Sequence, residues 1–359
     1  MSAPPKIAAG SVSSPRGQLY RAAIVGAGSL KGKEVAEMLS ERNFPAVDIR
    51  LLDDDDSIGQ LEATGDEINF IQSLRGEQFT HVDFTFFAAD AECTRNNWKR
   101  ARDAGSAIID LSGALDGEGG APVRSLWIER ERGKMWQPEL QPAPCIVPHS
   151  AAVTLALLLL RARKAVTIQS AVATVFEPAS EQGQKGMDEL HQQTVNLLSF
   201  QTLPKDVFDT QVAFNMVQRY GQKSQLSLDS LEARVRRHYQ ELAGTDAPQP
   251  ALLMLQPPVF HGNALGIFLE TEQPVNQAKL LAALGGDHVM LAGAEDDDSQ
   301  PSNVNTAGQP DILLSLKSEV SRPNGIWLWA AIDNLRVAAM TAVECAESMI
   351  ATRPLGKIQ

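Results

Sequence analysis

The sequence predicts an α/β protein, with an N-terminal Rossmann-type dinucleotide-binding domain followed by a second domain of α+β type. Three observations lead there. Short apolar runs alternate with amphipathic helical stretches over residues 20–111, the pattern of a parallel sheet with helices on both faces. The first run ends in a small-residue turn that opens a helix, Gly26-Ala27-Gly28-Ser29-Leu30-Lys31-Gly32. The chain has 359 residues, more than one core usually organises, so two domains are expected.

Residues 20–25 read as the first strand. Residues 33–42 place Val35, Met38 and Leu39 on one helical face, and Asn43-Phe44-Pro45 breaks that helix. Residues 49–52 form a second strand, ended by Asp53-Asp54-Asp55-Asp56, and residues 81–87 a third. A helix over 91–104, with Trp98 and Ala101 inward, closes at Gly105 and leads to a fourth strand at 107–111. The second unit starts near His149 with a helix over 150–165. A strand over 166–176, helices near 183–198 and 228–242, and a strand-like stretch over 252–270 follow. Residues 292–309 are rich in Asp, Ser, Asn and Gly and read as a mobile loop; residues 331–350 read as an amphipathic helix. The expected division is a flexible tail over 1–18, a dinucleotide-binding domain over 19–148 joined by the C-terminal helix 331–352, and a second domain over 149–330.

Composition excludes several classes. A net charge of -12 and a pI near 5.0 repel phosphate backbones, so no nucleic-acid partner is expected. The three cysteines (Cys93, Cys145, Cys345) are far apart, which predicts neither a disulfide framework nor a metal site and suits a reducing cytoplasm. The longest apolar run, 151–160, is too short to span a bilayer and ends at Arg161 and Arg163; residues 1–18 lack the apolar core of a secretory signal.

The turn after the first strand has the context of a dinucleotide site, where small residues let backbone N–H groups reach a pyrophosphate. Its spacing departs from the common pattern, which would place Gly where Lys31 stands, and the competing reading is a tight strand–helix turn that binds nothing.

Further motifs carry a resemblance. They are Asn43-Phe44-Pro45, Val147-Pro148-His149-Ser150 and the run from Phe176 to Thr194 through Ser180, Gly183, Lys185-Gly186-Met187, Glu189-Leu190 and Gln193-Thr194. Others are Ala213-Phe214-Asn215, Pro257-Pro258-Val259-Phe260-His261-Gly262-Asn263, and Asp333-Asn334-Leu335-Arg336 followed by Ala338-Ala339 and Ala342-Val343. In this order they resemble the aspartate-β-semialdehyde dehydrogenase family, and within it the degenerate Usg-type branch. The resemblance implies a NAD(P)-binding domain and a catalytic and dimerisation domain, hence a homodimer, and an oxidoreductase ancestry in amino-acid biosynthesis.

The family reaction needs a thiolate that attacks an acyl phosphate, a His that moves the proton, cations that hold phosphate and carboxylate, and a nicotinamide hydride. By the resemblance, Ser150 stands in the place of the Cys and Asn263 in the place of the His. A serine hydroxyl ionises far less readily than a thiol, and an amide exchanges no proton. Asp116 and Gln256 align with the family arginines, Glu177 with the site Gln, and Val337 with a Lys; a Glu and Lys pair falls near Asp229 and Glu232. Against the family turn, Gly26, Ala27 and Gly32 fit while Gly28 and Ser29 depart; Ala88 opens the counterpart of a Ser-Ala-Gly-Gly turn near the nicotinamide. The family Arg that grips the 2′-phosphate of NADP aligns with Asp56, beside Asp53. Acids there repel a phosphate and accept from a ribose hydroxyl, so NAD is favoured over NADP if any dinucleotide binds.

Two readings follow. The preferred one is a relative that has lost the phosphorylating aldehyde dehydrogenase reaction and serves as a regulatory or binding paralogue, a homodimer that also associates with an active paralogue. The other is an active NAD(P)-dependent semialdehyde dehydrogenase with an altered substrate or mechanism. A hydrolytic pairing of Ser150 with His149 or His261 ranks below an N-cap role for Ser150. Cys145 reads as a buried strand residue, His191 and His238 as surface positions, and Trp327 and Trp329 as core or interface.

Overall fold

A computed structural model of the chain describes residues 20–53, 59, 61–64, 67–118, 120–134, 143–292 and 300–352. These fall into two compact units. One takes the described residues up to Pro122, 143–147, and those from Ala339 onward; the other takes 123–134 and Pro148–Ala338.

The first unit holds β1 (Tyr20–Val25), α1 (Leu30–Glu41), β2 (Ala46–Asp53), the hairpin β3 (Leu61–Thr64) and β4 (Glu67–Phe70), and β5 (Gln72–Ser73). It continues with β6 (Phe84–Phe87), α2 (Ala91–Asp103), β7 (Ala107–Asp110) and, after an excursion, β8 (Cys145–Ile146). Six strands pair in the order β5-β2-β1-β6-β7-β8, every pair parallel. Strands buried on both faces read as continuous apolar runs, which is why β6 (Phe84-Thr85-Phe86-Phe87) is wholly buried. Asn43, at φ 51°, accepts the left-handed backbone that ends α1 and turns the chain toward β2. The helix foreseen over 33–42 therefore begins three residues earlier, capped by Ser29.

The second unit holds α3 (Leu126–Glu131), α4 (Ser150–Ala165), β9 (Ile168–Phe176), α5 (Gly183–Leu198), α6 (Leu228–Ala243), β10 (Ala251–Leu255), β11 (Asn263–Thr271), α7 (Gln277–Leu284), β12 (Val289–Leu291), β13 (Ile312–Ser318) and β14 (Gly325–Ile332). Its mixed sheet runs β10-β9-β11-β14-β13-β12. Helix α4 is buried from Ser150 to Ala162, as expected of a helix that is apolar all round, and packs against α3, α6 and α7. Along β11, residues alternate between buried and half-buried, so one sheet face is packed and the other is not. On that outer face Phe176 meets Trp329 and Phe268 meets Trp327, at ring centroid distances of 5.8 and 5.0 Å. Trp329 and Trp327 stay 39% and 41% exposed, so of the two places expected for them, core or interface, the core is excluded within one chain. Helix α8 (Asn334–Thr352) follows; its first residues belong to the second unit and the rest to the first.

Several sequence expectations need correction. The stretch 252–270 is two strands, because the two prolines at Pro257-Pro258 lack ladder donors and Gly262, at φ +84°, turns the chain. The helix foreseen from 331 starts at Asn334, since residues to Ile332 complete β14. Residues 300–309 form a hydrogen-bonded turn tied to Asp333 and Trp329, not a mobile loop; 293–299 lie outside the described residues. His238 is fully buried, because its Nδ1 accepts the His149 backbone N–H at 3.0 Å.

Candidate functional site

In the first unit the turn after β1 is built around close contacts. A Cβ on Gly26 would lie 2.3 Å from Ala89 N, and one on Gly32 would lie 2.1 Å from Gly26 O. Both glycines are demanded by backbone packing alone. Ser29 caps α1: its hydroxyl accepts Gly32 N–H and donates to Ala88 O, both at 2.9 Å. Asp53, at the end of β2, accepts Gly28 N–H at 2.8 Å. Gly26, Gly28, Ser29, Gly32, Asp53 and Ala88 thus form one cluster. Its fit to a dinucleotide is partial. A carboxylate at the end of β2 suits a ribose diol and repels a 2′-phosphate, but the N–H groups of Gly28 and Gly32 already have partners within the chain. Asp56 lies outside the described residues. Asp116 is half-buried in the turn after β7, where its N–H donates to Gly113 O.

In the second unit α4, β9 and β11 bring Ser150, Glu177 and Asn263 together. Asn263 Nδ2 donates to Glu177 Oε2 at 2.9 Å and to Phe176 O at 3.2 Å. Both partners are acceptors only, so the amide orientation is set, and Asn263 Oδ1 must face Ser150. The Ser150 hydroxyl donates to it at 2.9 Å. Glu177 Oε1 lies 3.1 Å from His149 Nε2, and His149 Nδ1 accepts Ala151 N–H at 3.2 Å. An acceptor at Nδ1 puts the ring hydrogen on Nε2, where it serves Glu177. The residues Ser150, Asn263, Glu177 and His149 therefore form a chain in which each hydrogen has one destination. All four are at least 97% buried.

The expected N-cap role of Ser150 does not hold, because the side chain of His149 caps α4 instead. The hydrolytic pairing also fails on geometry. His149 spends its nitrogens on Glu177 and Ala151, and His261 directs its own at Asp333 and Ser180 (2.9 and 3.2 Å). Gln256, fully buried, accepts the Tyr220 hydroxyl at 2.8 Å and donates to Pro257 O at 2.9 Å. Burial, and then the charge of Glu177, push the Tyr220 hydroxyl well above its ordinary pKa, so it stays a neutral donor. Asp229 and Glu232 lie on α6, where Glu232 pairs with Arg236 and accepts Met254 N–H. Val337 is buried.

His149, Glu177 and Glu181 hold one ligand atom each within 4.8 Å, a spacing a divalent ion can span. The tautomer opposes it. A metal at His149 Nε2 would drive the hydrogen onto Nδ1, against the Ala151 N–H. Tyr220 escaped the sequence reading and His238 was read as a surface position, because only long-range folding brings them here; Glu181 also escaped it, although its place four residues after Glu177 is a local signal.

Residues 21–149 match the family described as semialdehyde dehydrogenase, NAD binding domain, and residues 159–337 match semialdehyde dehydrogenase, dimerisation domain. A USG-1 protein homolog of Pseudomonas aeruginosa is 30% identical over 336 residues, covering 93% of this chain and 98% of the relative. An aspartate-semialdehyde dehydrogenase of Rickettsia bellii is 27% identical with the same coverage. A solved structure of a probable aspartate-semialdehyde dehydrogenase from Pseudomonas aeruginosa superposes with a TM-score of 0.80 at 28% identity, over 93% of this chain and 99% of the other.

Proposed function

The chain belongs to the semialdehyde dehydrogenase family, and we propose that it is a member that has lost acyl transfer and acts as a binding or regulatory protein. The observation that carries this reading is the Ser150–Asn263 bond. The hydroxyl hydrogen points at an amide oxygen that cannot take it, and the amide orientation is held by Glu177 and Phe176 O. A nucleophile without a base, beside a neutral Gln256 and an acidic Glu177, has neither activation nor an anion clamp.

Cofactor and partner follow as parts of the same proposal. The NAD(P)-binding fold is present, and Asp53 beside the Gly28 turn favours the NAD ribose diol over an NADP phosphate. The dimerisation domain is also present, and the outer sheet face with Phe176, Phe268, Trp327 and Trp329 supports a homodimer. An active paralogue with a matching face is the second partner this surface would accept. Among the described residues no helix is long and apolar enough to cross a membrane.

The test is an assay of the purified chain with aspartate semialdehyde, phosphate and NAD or NADP, paired with a thermal-shift titration of each cofactor. Cofactor binding without turnover, or neither, supports the proposal. Turnover of about 1 s⁻¹ or more, the ordinary enzyme range, overturns it in favour of an active dehydrogenase with altered chemistry.

A further inference from the structure

Asp333 gathers two fastenings. Its Oδ1 accepts the N–H groups of Leu335 and Arg336 at 3.1 and 3.0 Å, capping α8. Its Oδ2 accepts Gly308 N–H at 2.8 Å and meets His261 Nε2 at 2.9 Å. Segment 300–309 is thereby tied to the head of α8. Trp329 Nε1 adds a donation to Pro301 O at 3.0 Å. Gly262 leaves room for Asn303, whose atoms a Cβ at Gly262 would meet at 3.1–3.2 Å. The segment straps the turn that ends at Asn263.

The other nitrogen of His261 governs a second fastening. Nδ1 lies 3.2 Å from Ser180 Oγ, which lies 3.1 Å from Asn334 Oδ1. The Asn334 orientation is set, because Oδ1 accepts Gly262 N–H at 3.2 Å and Nδ2 donates to Glu181 Oε2 at 3.3 Å. Ser180 has one hydroxyl hydrogen and two claimants for it. When His261 is an imidazolium, Nδ1–H donates to Ser180 Oγ and the hydroxyl donates to Asn334 Oδ1, so each contact holds one hydrogen. When His261 is neutral, Nε2 keeps its hydrogen for Asp333 and Nδ1 draws the hydroxyl. Ser180 Oγ and Asn334 Oδ1 then face each other with no hydrogen between them.

We propose that His261 is a proton-operated latch: protonated, it holds Asp333, and through it the strap 300–309, by a charge-assisted bond and fastens the Gly262–Asn263 turn through Ser180 and Asn334; deprotonation reduces the first to a neutral hydrogen bond and takes the hydrogen out of the Ser180–Asn334 contact. His261 is 26% exposed, so solvent can deliver the proton. Asp333 faces the ring directly, and Glu181 stands one residue removed through Asn334; both favour the cation. Arg336, in the first turn of α8, carries the like charge and gives Asp333 its backbone N–H. Residues 300–309 carry no charged side chain.

The Gly308 and Gly262 amides report the two fastenings. Their exchange is to be followed from pH 5.5 to 8, corrected for intrinsic exchange, in the wild-type chain, His261→Gln and Ser180→Ala. Protection at both should fall about tenfold across the titration in the wild type. His261→Gln should remove that dependence; Ser180→Ala should remove it at Gly262 and keep it at Gly308. An imidazole nitrogen NMR titration of the wild type should show both ring nitrogens protonated at low pH, with the same midpoint. Equal pH profiles in wild type and His261→Gln, or a neutral His261 throughout, would overturn the latch. Should His261→Gln fail to fold, the wild-type NMR titration decides alone. These readouts do not depend on whether catalysis has been lost.

Discussion

Ser150 Oγ stands 2.9 Å from Asn263 Oδ1 as the donor, and Asn263 in turn donates to Glu177 at 2.9 Å. Ser150 and Asn263, which by the resemblance align with the family's nucleophile and base, are donor and acceptor in one buried chain of hydrogen bonds. A buried polar network with every group satisfied holds a unit rigid; one with a member removed leaves stranded partners at full desolvation cost.

Asn263→Leu should therefore destabilise the second unit. It strands the Ser150 hydroxyl and one Glu177 oxygen, each at about 1–3 kcal/mol, for a total of about 2–6 kcal/mol. Chemical denaturation followed by fluorescence measures this. A loss under about 1 kcal/mol would mean the chain of bonds is not formed in solution.

The double variant Ser150→Cys with Asn263→His should not restore phosphate-dependent oxidation of the semialdehyde. Gln256 remains neutral and tied to Tyr220, and Asp116 remains acidic, so the anions have no clamp. Rapid appearance of reduced cofactor on mixing the variant with substrate and phosphate would count against this account.

Cofactor choice should hinge on Asp53. NAD is expected to raise the melting temperature more than NADP in the wild type, and Asp53→Ala should erase the difference. The same change removes the bond from Gly28 N–H and should cost about 0.5–1.5 kcal/mol without ligand.

Asp333 sets an acid limit on stability. Burial pushes its carboxyl pKa up, but hydrogen bonds from His261 and from the Arg336 and Gly308 N–H groups, with the charge of His261, outweigh it and hold the pKa below the ordinary value. A lowered folded-state pKa adds stability above the unfolded value, near 4, that is lost as pH falls through the folded one. Asp333→Asn should reduce stability at pH 7 and flatten its fall below about pH 4, as read from urea midpoints across pH.

Trp327→Lys should shift the protein toward monomer at micromolar concentration. It places a charge on the outer sheet face while leaving the packed face of β14 untouched. Light scattering after size exclusion gives the mass; an unchanged dimer would move the interface elsewhere.

Much of the fold was legible because it rests on local patterns. The apolar run Tyr20–Val25, the helical face of Val35, Met38 and Leu39, and the continuous apolar stretch of the helix opening at Ser150 are each patterns that neighbouring residues supply. Boundaries slipped where a cap or turn decided them: Ser29 starts α1 early, Asp333 delays α8, and Gly262 divides β10 from β11. The turn over 300–309 read as mobile because its composition is polar, yet its bonds run to Asp333 and Trp329, far along the chain.

From residue identity alone one learns the chemistry available: a hydroxyl at 150, an amide at 263, acids at 53 and 177, and no cation among the aligned grips. What each group faces is a matter of folding. A hydrogen bond is directional and short, so whether Ser150 meets a base or an amide oxygen, which nitrogen of His149 carries its hydrogen, and which oxygen competes for the Ser180 hydroxyl depend on tenths of an ångström, and the partners Ser150–Asn263 and Ser180–Asn334 stand 113 and 154 positions apart.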